Sequence, residues 1–449
     1  MKIIRFLKVS GLTISFFCLS LIFSCQSENI SDNRRPNFII LFADDLGYGD
    51  LQCYGHPTIR TPNLDNMAKE GVQLTSFYVA SSVCSPSRAA LLTGKYPSNA
   101  GVTKVFNNKS KTGLPLKEIT IAEGLKSVGY STAIIGKWHL GSQPKFLPMN
   151  QGFDYWFGVP YSNDNDSISA PGNSYLSGPP LPLYENNTIL ERSVSMKTIT
   201  KRYTDKAIEF IKKEKNNPFF LYVPYTMPHV PIDASWEFKN KSEAGLYGDV
   251  IEELDWSVGQ ILITLKELGL NNKTMIIFTS DNGPMIHIDR PNYNQKIIKN
   301  WHHGTAGLFR GGKFDVYEGG FRVPAIVLWD EKITANRISS EIVISIDLLP
   351  TIFNLAGVNN FDKECIDGKD LTSFLLNDKK SPHNEMIYEK HGKRIAYRNG
   401  EWKIVYNNLR HGSYELYNLK NDLSEKHDVA ELYPEKTDEL RRYLKIITD

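Results

Sequence analysis

Cysteine is scarce: this chain of 449 residues has five, of which Cys18 and Cys25 lie near its start and Cys53, Cys84 and Cys365 in its body. No two stand as Cys-x-x-Cys, so no thiolate metal pair is spelled out. A pairing of Cys53 with Cys365 is open to an exported protein, and the sequence does not decide it. An excess of one charge is also missing. With 52 Lys and Arg against 50 Asp and Glu, bulk electrostatics announces neither nucleic acid nor a membrane surface, and any anion selectivity has to be local. Internal repeats are absent, as is low-complexity sequence beyond the N-terminal leader and tether. Apolar and aromatic residues are plentiful, at 41% and 11%, enough in a chain this long to bury one large core and a smaller one.

The first eight residues carry Lys2, Arg5 and Lys8 and no acid, and an apolar stretch follows through Ser24. This is the pattern of a secretory leader, removed and not kept as a membrane span. It closes on Leu21-Ile22-Phe23-Ser24-Cys25, which resembles a bacterial lipobox, where the cysteine becomes the lipidated first residue of the mature protein. Phe23 departs from the small residue usual there, so ordinary cleavage nearby and a soluble periplasmic protein stand as the alternative. Without residues 1–25 the balance is 49 basic to 50 acidic side chains. Residues 26–35 are polar and patternless, as a tether should be. The expected location is the periplasm or the outer membrane of a Gram-negative bacterium, with membrane attachment only through the N-terminal lipid.

Short apolar runs at Phe38–Ala43, Thr132–Ile135, Phe219–Val223, Met275–Thr279 and Ala325–Leu328 alternate with helical patterns. This predicts an α/β fold with a large, mostly parallel mixed sheet sandwiched by helices. One helix should run from Pro62 to a C-cap at Gly71, and another should open on the capping box Thr120-Ile121-Ala122-Glu123 and close near Gly129. Tyr203, Ala207, Phe210 and Ile211 make one apolar helical face, and the series from Tyr247 to Leu265 a longer one. Beyond residue 376 the texture changes to short strands with a turn at Asn399-Gly400, then an amphipathic helix over Pro434–Ile447. The expected organisation is a catalytic domain over 36–376 and a small antiparallel sheet plus helix over 377–449.

Four of the predicted strands run directly into chemically capable residues: Asp44-Asp45, Gly136-Lys137-Trp138-His139, the segment ending at His229, and Ser280-Asp281-Asn282. Loops at the carboxyl ends of parallel strands meet at one crevice, so these clusters should share it. Taken singly, an Asp-Asp after a strand reads as a turn or helix cap, and a His near Pro as structural. Together, three carboxylates and an Asn amide oxygen form the hard oxygen set that Ca2+ prefers, with Lys and His beside them to hold an anion.

The remaining motif is Cys84-Ser85-Pro86-Ser87-Arg88, followed by Thr93-Gly94. With Ala43 to Asp50, Gly136 to Gly141 and Gly312 to Gly320, it resembles the type I sulfatases of the alkaline phosphatase superfamily. In that family Cys-x-Pro-x-Arg directs oxidation of the cysteine to formylglycine by a formylglycine-generating maturation enzyme, and Gly158 to Ser162 is similar to a segment of the arylsulfatase A branch. Pro86 suits a first helical turn, which would put residue 84 at the positive end of a helix.

The resemblance implies that Asp44, Asp45, Asp281 and Asn282, with residue 84, hold one Ca2+. It implies a hydrated formylglycine as nucleophile, Asp281 as a candidate to take its proton, and Lys137, His229 and Lys313 on the sulfate. His229 or Lys313 would protonate the leaving alcohol, His139 would deprotonate the second hydroxyl of the hydrate, and Arg88 would orient it. The lipoprotein-like start and tether resemble those of glycan-degrading Bacteroidetes, which implies a sulfated carbohydrate as substrate, with algal polysaccharide ahead of glycosaminoglycan. Asn163, Asp164 and Asp166 are candidates for the sugar subsite, and His287, His302 and His303 for substrate contacts. The competing readings are a phosphonate or phosphodiester hydrolase of the same superfamily and an inactive glycan-binding lipoprotein.

Overall fold

A computed structural model of the chain describes residues 35–165, 178–287, 296–407 and 412–448. The leader, all but the last residue of the tether, and Asp166 lie outside the described residues. Eleven strands form the main sheet: Asn37–Ala43 (β1), Val72–Tyr78 (β2), Ser131–Ile135 (β3), Tyr155–Gly158 (β4), Pro182–Glu185 (β5), Thr188–Arg192 (β6), Phe219–Pro224 (β7), Thr274–Ser280 (β8), Arg322–Leu328 (β9), Arg337–Ser339 (β10) and Val343–Ile344 (β11). Their order is β10-β2-β9-β8-β1-β7-β3-β4-β5-β6, with β11 also on β2. The run β8-β1-β7-β3-β4 is parallel throughout. The run at Ala325–Leu328 does form a strand, but β9 is antiparallel to both its neighbours, as are the pairs β4–β5 and β5–β6.

Both faces of β1 are buried, which is why its sequence is a continuous apolar run and not an alternating one. Ile39, Leu41 and Ala43 point into a core shared with helices Pro62–Glu70 (α1), Met196–Glu214 (α4) and Gly245–Glu267 (α5). Phe38, Ile40 and Phe42 point into the opposite core, with Cys84–Thr93 (α2), Ile121–Ser127 (α3), Leu348–Ala356 (α7) and Thr372–Leu376 (α8). The expected caps are present. Gly71 closes α1, and at α3 Thr120 and Glu123 satisfy each other's backbone N–H groups. Cys53 and Cys365 are both free thiols.

The C-terminal part is a meander of Glu385–Lys390 (β12), Lys393–Asn399 (β13), Trp402–Asn407 (β14) and Ser413–Asn418 (β15). One face of this small sheet packs on Tyr78, Ala90 and Phe321 of the main body. The other is covered by Leu440 and Leu444 of the last helix, Pro434–Thr448 (α9). The short helix Glu318–Phe321 (α6) lies at the junction. Among the described residues no helix is long and apolar enough to cross a membrane.

Candidate active site

Strands β8, β1, β7 and β3 are neighbours and parallel, so the residues that follow them emerge at one end of the sheet. Asp44 and Asp45 leave β1, Lys137 and His139 leave β3, His229 follows β7, and Asp281 and Asn282 leave β8. Backbone geometry is tight here. The Gly136 conformation has φ of +144°, and a Cβ would lie 1.9 Å from the Pro224 carbonyl oxygen, so β3 can exit beside β7 only through glycine. Asp45 and His139 both adopt left-handed backbone conformations, at φ of 66° and 57°, the kind of local strain that clusters at functional sites.

Cys84 opens α2, whose ten residues are all buried, with Pro86 in its first turn and Gly94 closing it in the left-handed region. Its Sγ lies 3.7 Å from Asp44 Oδ1. One turn on, Arg88 donates from Nε and Nη2 to Asp281 Oδ2, at 3.0 and 2.7 Å, and from Nη1 to the Lys137 carbonyl at 3.1 Å. Lys137 Nζ meets Asp44 Oδ2 at 2.5 Å, Lys313 Nζ meets Asp45 Oδ1 at 2.7 Å, and His229 Nε2 lies 3.6 Å from Asp45 Oδ2. The residues that the resemblance assigns to the metal, the sulfate and the hydrate thus lie in one buried cluster.

Burial should raise Asp44, but Lys137, His229, Arg88 and Lys313 outweigh it and hold the carboxyl well below its usual range. Asp281 goes the other way, to about 7, driven by burial and then by the Asp44 carboxylate beside it, in spite of Arg88. Burial, reinforced by Lys137 and Arg88, holds His139 neutral. Its Nε2 faces the Phe106 carbonyl at 2.7 Å, so Nε2 carries the proton and the lone pair stays on Nδ1, which is buried with no partner among the described residues. His229 Nδ1 faces the Val230 carbonyl at 2.7 Å, leaving Nε2 directed at the cluster. Burial and Lys313 lower this ring as well. Lys313 stays charged, since Asp45 more than offsets the penalty of burial. Burial also pushes the Cys84 thiol far above its usual range.

Cation binding fits this donor set. Asp45 and Asp281 are joined through the Asp45 N–H, 3.1 Å from Asp281 Oδ1, and Asn282 Nδ2 reaches Asp45 Oδ1 at 2.7 Å. Asn282 Oδ1 is buried with no partner among the described residues, an acceptor that a cation would satisfy. Asp44, Asp45, Cys84 and His229 also bring ligand atoms within 4.8 Å of one another. Carboxylate and amide oxygens dominate the set, which suits a hard divalent ion.

Sequence reading missed Ser162, whose Oγ lies 3.2 Å from Lys137 Nζ and 3.3 Å from His229 Nε2. The segment Gly158 to Ser162 stands out only by its resemblance, with no role for the serine, and the fold is what brings its hydroxyl here. Asn163 donates to the His229 and Pro231 carbonyls, at 3.0 and 3.1 Å, so it fixes the His229 loop. His302 is held by the Lys299 N–H and His303 faces the Gly304 carbonyl, while His287 lies 3.6 Å from Asp315; none of the three joins the cluster. A cavity of about 1000 Å3, lined by Tyr48, Arg322, His383 and Arg398 among others, contains none of the cluster residues.

A family model described as Sulfatase matches residues 36–358, and one described as N-sulphoglucosamine sulphohydrolase, C-terminal, matches residues 304–446. Arylsulfatase A of Homo sapiens is 40% identical over 370 residues, 79% of this chain and 70% of that protein. A structure reported for the metabolism of multiple glycosaminoglycans by Bacteroides thetaiotaomicron has a TM-score of 0.81 at 29% identity, over 93% of this chain and 100% of its own. The structure of Ps i-CgsB in complex with k-i-k-neocarrahexaose has a TM-score of 0.78 at 28% identity, over 92% and 93% of the two chains.

Proposed function

Because the chain belongs to the sulfatase family and is a sulfuric ester hydrolase, we propose that it cleaves sulfate from sulfated oligosaccharides, using a formylglycine made from Cys84 and one Ca2+. The observation that carries this reading is the setting of Cys84. It sits at the N-terminus of a fully buried helix, against Asp44 and within the field of Lys137 and Lys313. Left as a cysteine it is a neutral, buried thiol and a poor nucleophile.

Asp44, Asp45, Asp281 and Asn282 would hold Ca2+, which on binding withdraws charge from the ester and lowers the repulsion among these carboxylates. The hydrated aldehyde would supply the attacking hydroxyl and a second one through which sulfate can leave. Lys137, Lys313 and Ser162 hold the sulfate oxygens. Of the two candidate proton donors, Lys313 is the one that carries a proton in this state, since Asp45 keeps it charged, whereas His229 is lowered by burial and, with its Nδ1–H on the Val230 carbonyl, presents a lone pair at Nε2. His139 Nδ1, held lone-pair-inward by the Phe106 carbonyl, accepts the proton of the second hydroxyl. Arg88 fixes Asp281 in place as acceptor for the first.

The similar structures reported for glycosaminoglycan metabolism and in complex with a neocarrahexaose support a sulfated sugar as substrate. Export with lipid attachment at Cys25 completes the reading, and fatty-acid labelling of wild type against Cys25→Ala checks that part. The principal test is sulfate release from an aryl sulfate and a panel of sulfated algal and glycosaminoglycan oligosaccharides, by protein co-expressed with the maturation enzyme, with and without chelator. Release that chelator abolishes and Ca2+ restores is the expected result. Turnover of a phosphonate or phosphate diester with no sulfate released would overturn it, and glycan binding with no turnover would make the protein a binding relative.

A further inference from the structure

Beyond Ser162 the chain makes a tight turn, with the Asn165 N–H on the Ser162 carbonyl at 3.1 Å. Asp164 and Asn165 are 6% and 3% exposed. This turn is wedged among the catalytic candidates. Asn163 ties it to the His229 loop, and the Asn165 carbonyl accepts from Asn108 Nδ2 at 2.8 Å. The Asn108 segment in turn reaches both sides of the site. The Phe106 carbonyl meets His139, and the Phe106 N–H donates to Ser85 Oγ at 3.1 Å, next to Cys84.

Within the turn, Asn165 Nδ2 donates to Asp164 Oδ1 at 2.7 Å. That contact fixes the amide orientation and turns Asn165 Oδ1 away, where it is buried with no hydrogen-bond partner among the described residues. A buried acceptor in this state is costly unless a ligand donor meets it. Asp164 is a carboxylate outside the oxygen set assigned to Ca2+. Burial would raise it, but His229, Lys137 and Lys313 hold it below the usual range, so it lies within the field of the two lysines assigned to sulfate.

We propose that Asp164 and Asn165 form a specificity element that reads the substituent beside the scissile sulfate. Asn165 Oδ1 accepts a hydrogen bond from a free sugar hydroxyl, and the Asp164 carboxylate repels a second sulfate or a carboxylate at that place. The substrate class is then a sugar ring that is neutral next to its sulfate. This rests on the sulfatase reading above.

The test uses the matured enzyme on galactose monosulfates and on disulfates that add a neighbouring sulfate, with an aryl sulfate alongside. Wild type should favour the monosulfate by on the order of tenfold or more in kcat/KM, since like-charge juxtaposition is strongly discriminating. Asp164→Asn should narrow that ratio by about tenfold by improving the disulfate, chiefly in its KM, a gain that damage to folding cannot produce. Asn165→Leu should instead lose the monosulfate by about tenfold or more, because the hydroxyl then lacks its acceptor. A wild type that prefers the disulfate, an unchanged ratio in Asp164→Asn, or equal losses on both substrates in either variant would overturn the proposal. Failure of the sulfatase reading is seen separately, as no release from any sulfate including the aryl ester.

Discussion

Arg88 has no exposed surface, and its guanidinium does three things at once. It takes Asp281 through two nitrogens, comes within 3.5 Å of Asp44, and stands 5.4 Å from the Phe42 ring centroid. Arg88→Met would leave Asp281 buried beside Asp44 with no counter-charge between them. The expected loss is about 3–5 kcal/mol of unfolding free energy, the usual result of breaking a buried pair from one side. Denaturant unfolding measures it. The loss should shrink in acid, where a proton on Asp281 can replace the missing charge. Arg88→Lys should not restore it, because a point charge cannot reproduce the planar fork. The residues of this cluster were legible in the sequence because each follows a strand end or belongs to the Cys84 motif. The segment ending at Ser162 and the candidate Asn163 stand out in the sequence, but the contacts of Ser162 with Lys137 and His229 and the bracing role of Asn163 were not legible, since both depend on β4 lying beside β3.

The strands themselves were legible where both faces are buried, as in β1, β7 and β8, because burial leaves an unbroken apolar run. β2 reads Val-Gln-Leu-Thr-Ser-Phe-Tyr, and its polar positions and bulge hide it. The antiparallel direction of β9 is a matter of chain return, which composition does not encode. Loops are pinned by equally non-local contacts. Asp50 accepts from the Gly47 N–H, the Tyr247 hydroxyl and the Thr305 N–H, at 2.6, 2.6 and 2.7 Å, tying the segment after β1 to the segment that leads to Lys313. Burial raises its pKa to about 7, although these donors pull the other way. An acid raised in the folded state contributes stability that is full below its unfolded pKa and lost as pH rises through the folded one. Stability from Asp50 should therefore fall between about pH 4 and 7, by up to about 1.4 kcal/mol per unit. In Asp50→Asn that part of the slope should disappear, as read from urea midpoints across the same range.

At the scale of the whole molecule, the small C-terminal sheet reaches into the catalytic body through Lys403 of β14. Its side chain has no exposed surface, and Nζ lies 3.0 Å from Glu318 Oε1, 2.8 Å from Glu425 Oε1 and 3.0 Å from the Val316 carbonyl, over the Tyr388 ring. Burial works against Glu318, yet Lys403, Arg322 and Arg398 bring it down to about 2. Glu425, with burial uppermost and Glu318 as neighbour, rises to about 7. The consequence reaches the site through α6. The Gly283 N–H donates to the Gly320 carbonyl, and a Cβ on Gly283 would lie 1.8 Å from the Gly319 carbonyl oxygen, so the turn after Glu318 rests directly against the strand exit that bears Asn282. Lys403→Met would leave two carboxyls facing each other in the interior, at a cost of about 3–5 kcal/mol. Because Glu425 can take up a proton below about pH 7, the loss should be greater above that pH than below it. Adding Glu425→Gln should recover part of the stability by removing one of the two charges, whereas a loss that is independent of pH and untouched by the second substitution would mean that Lys403 acts by packing alone.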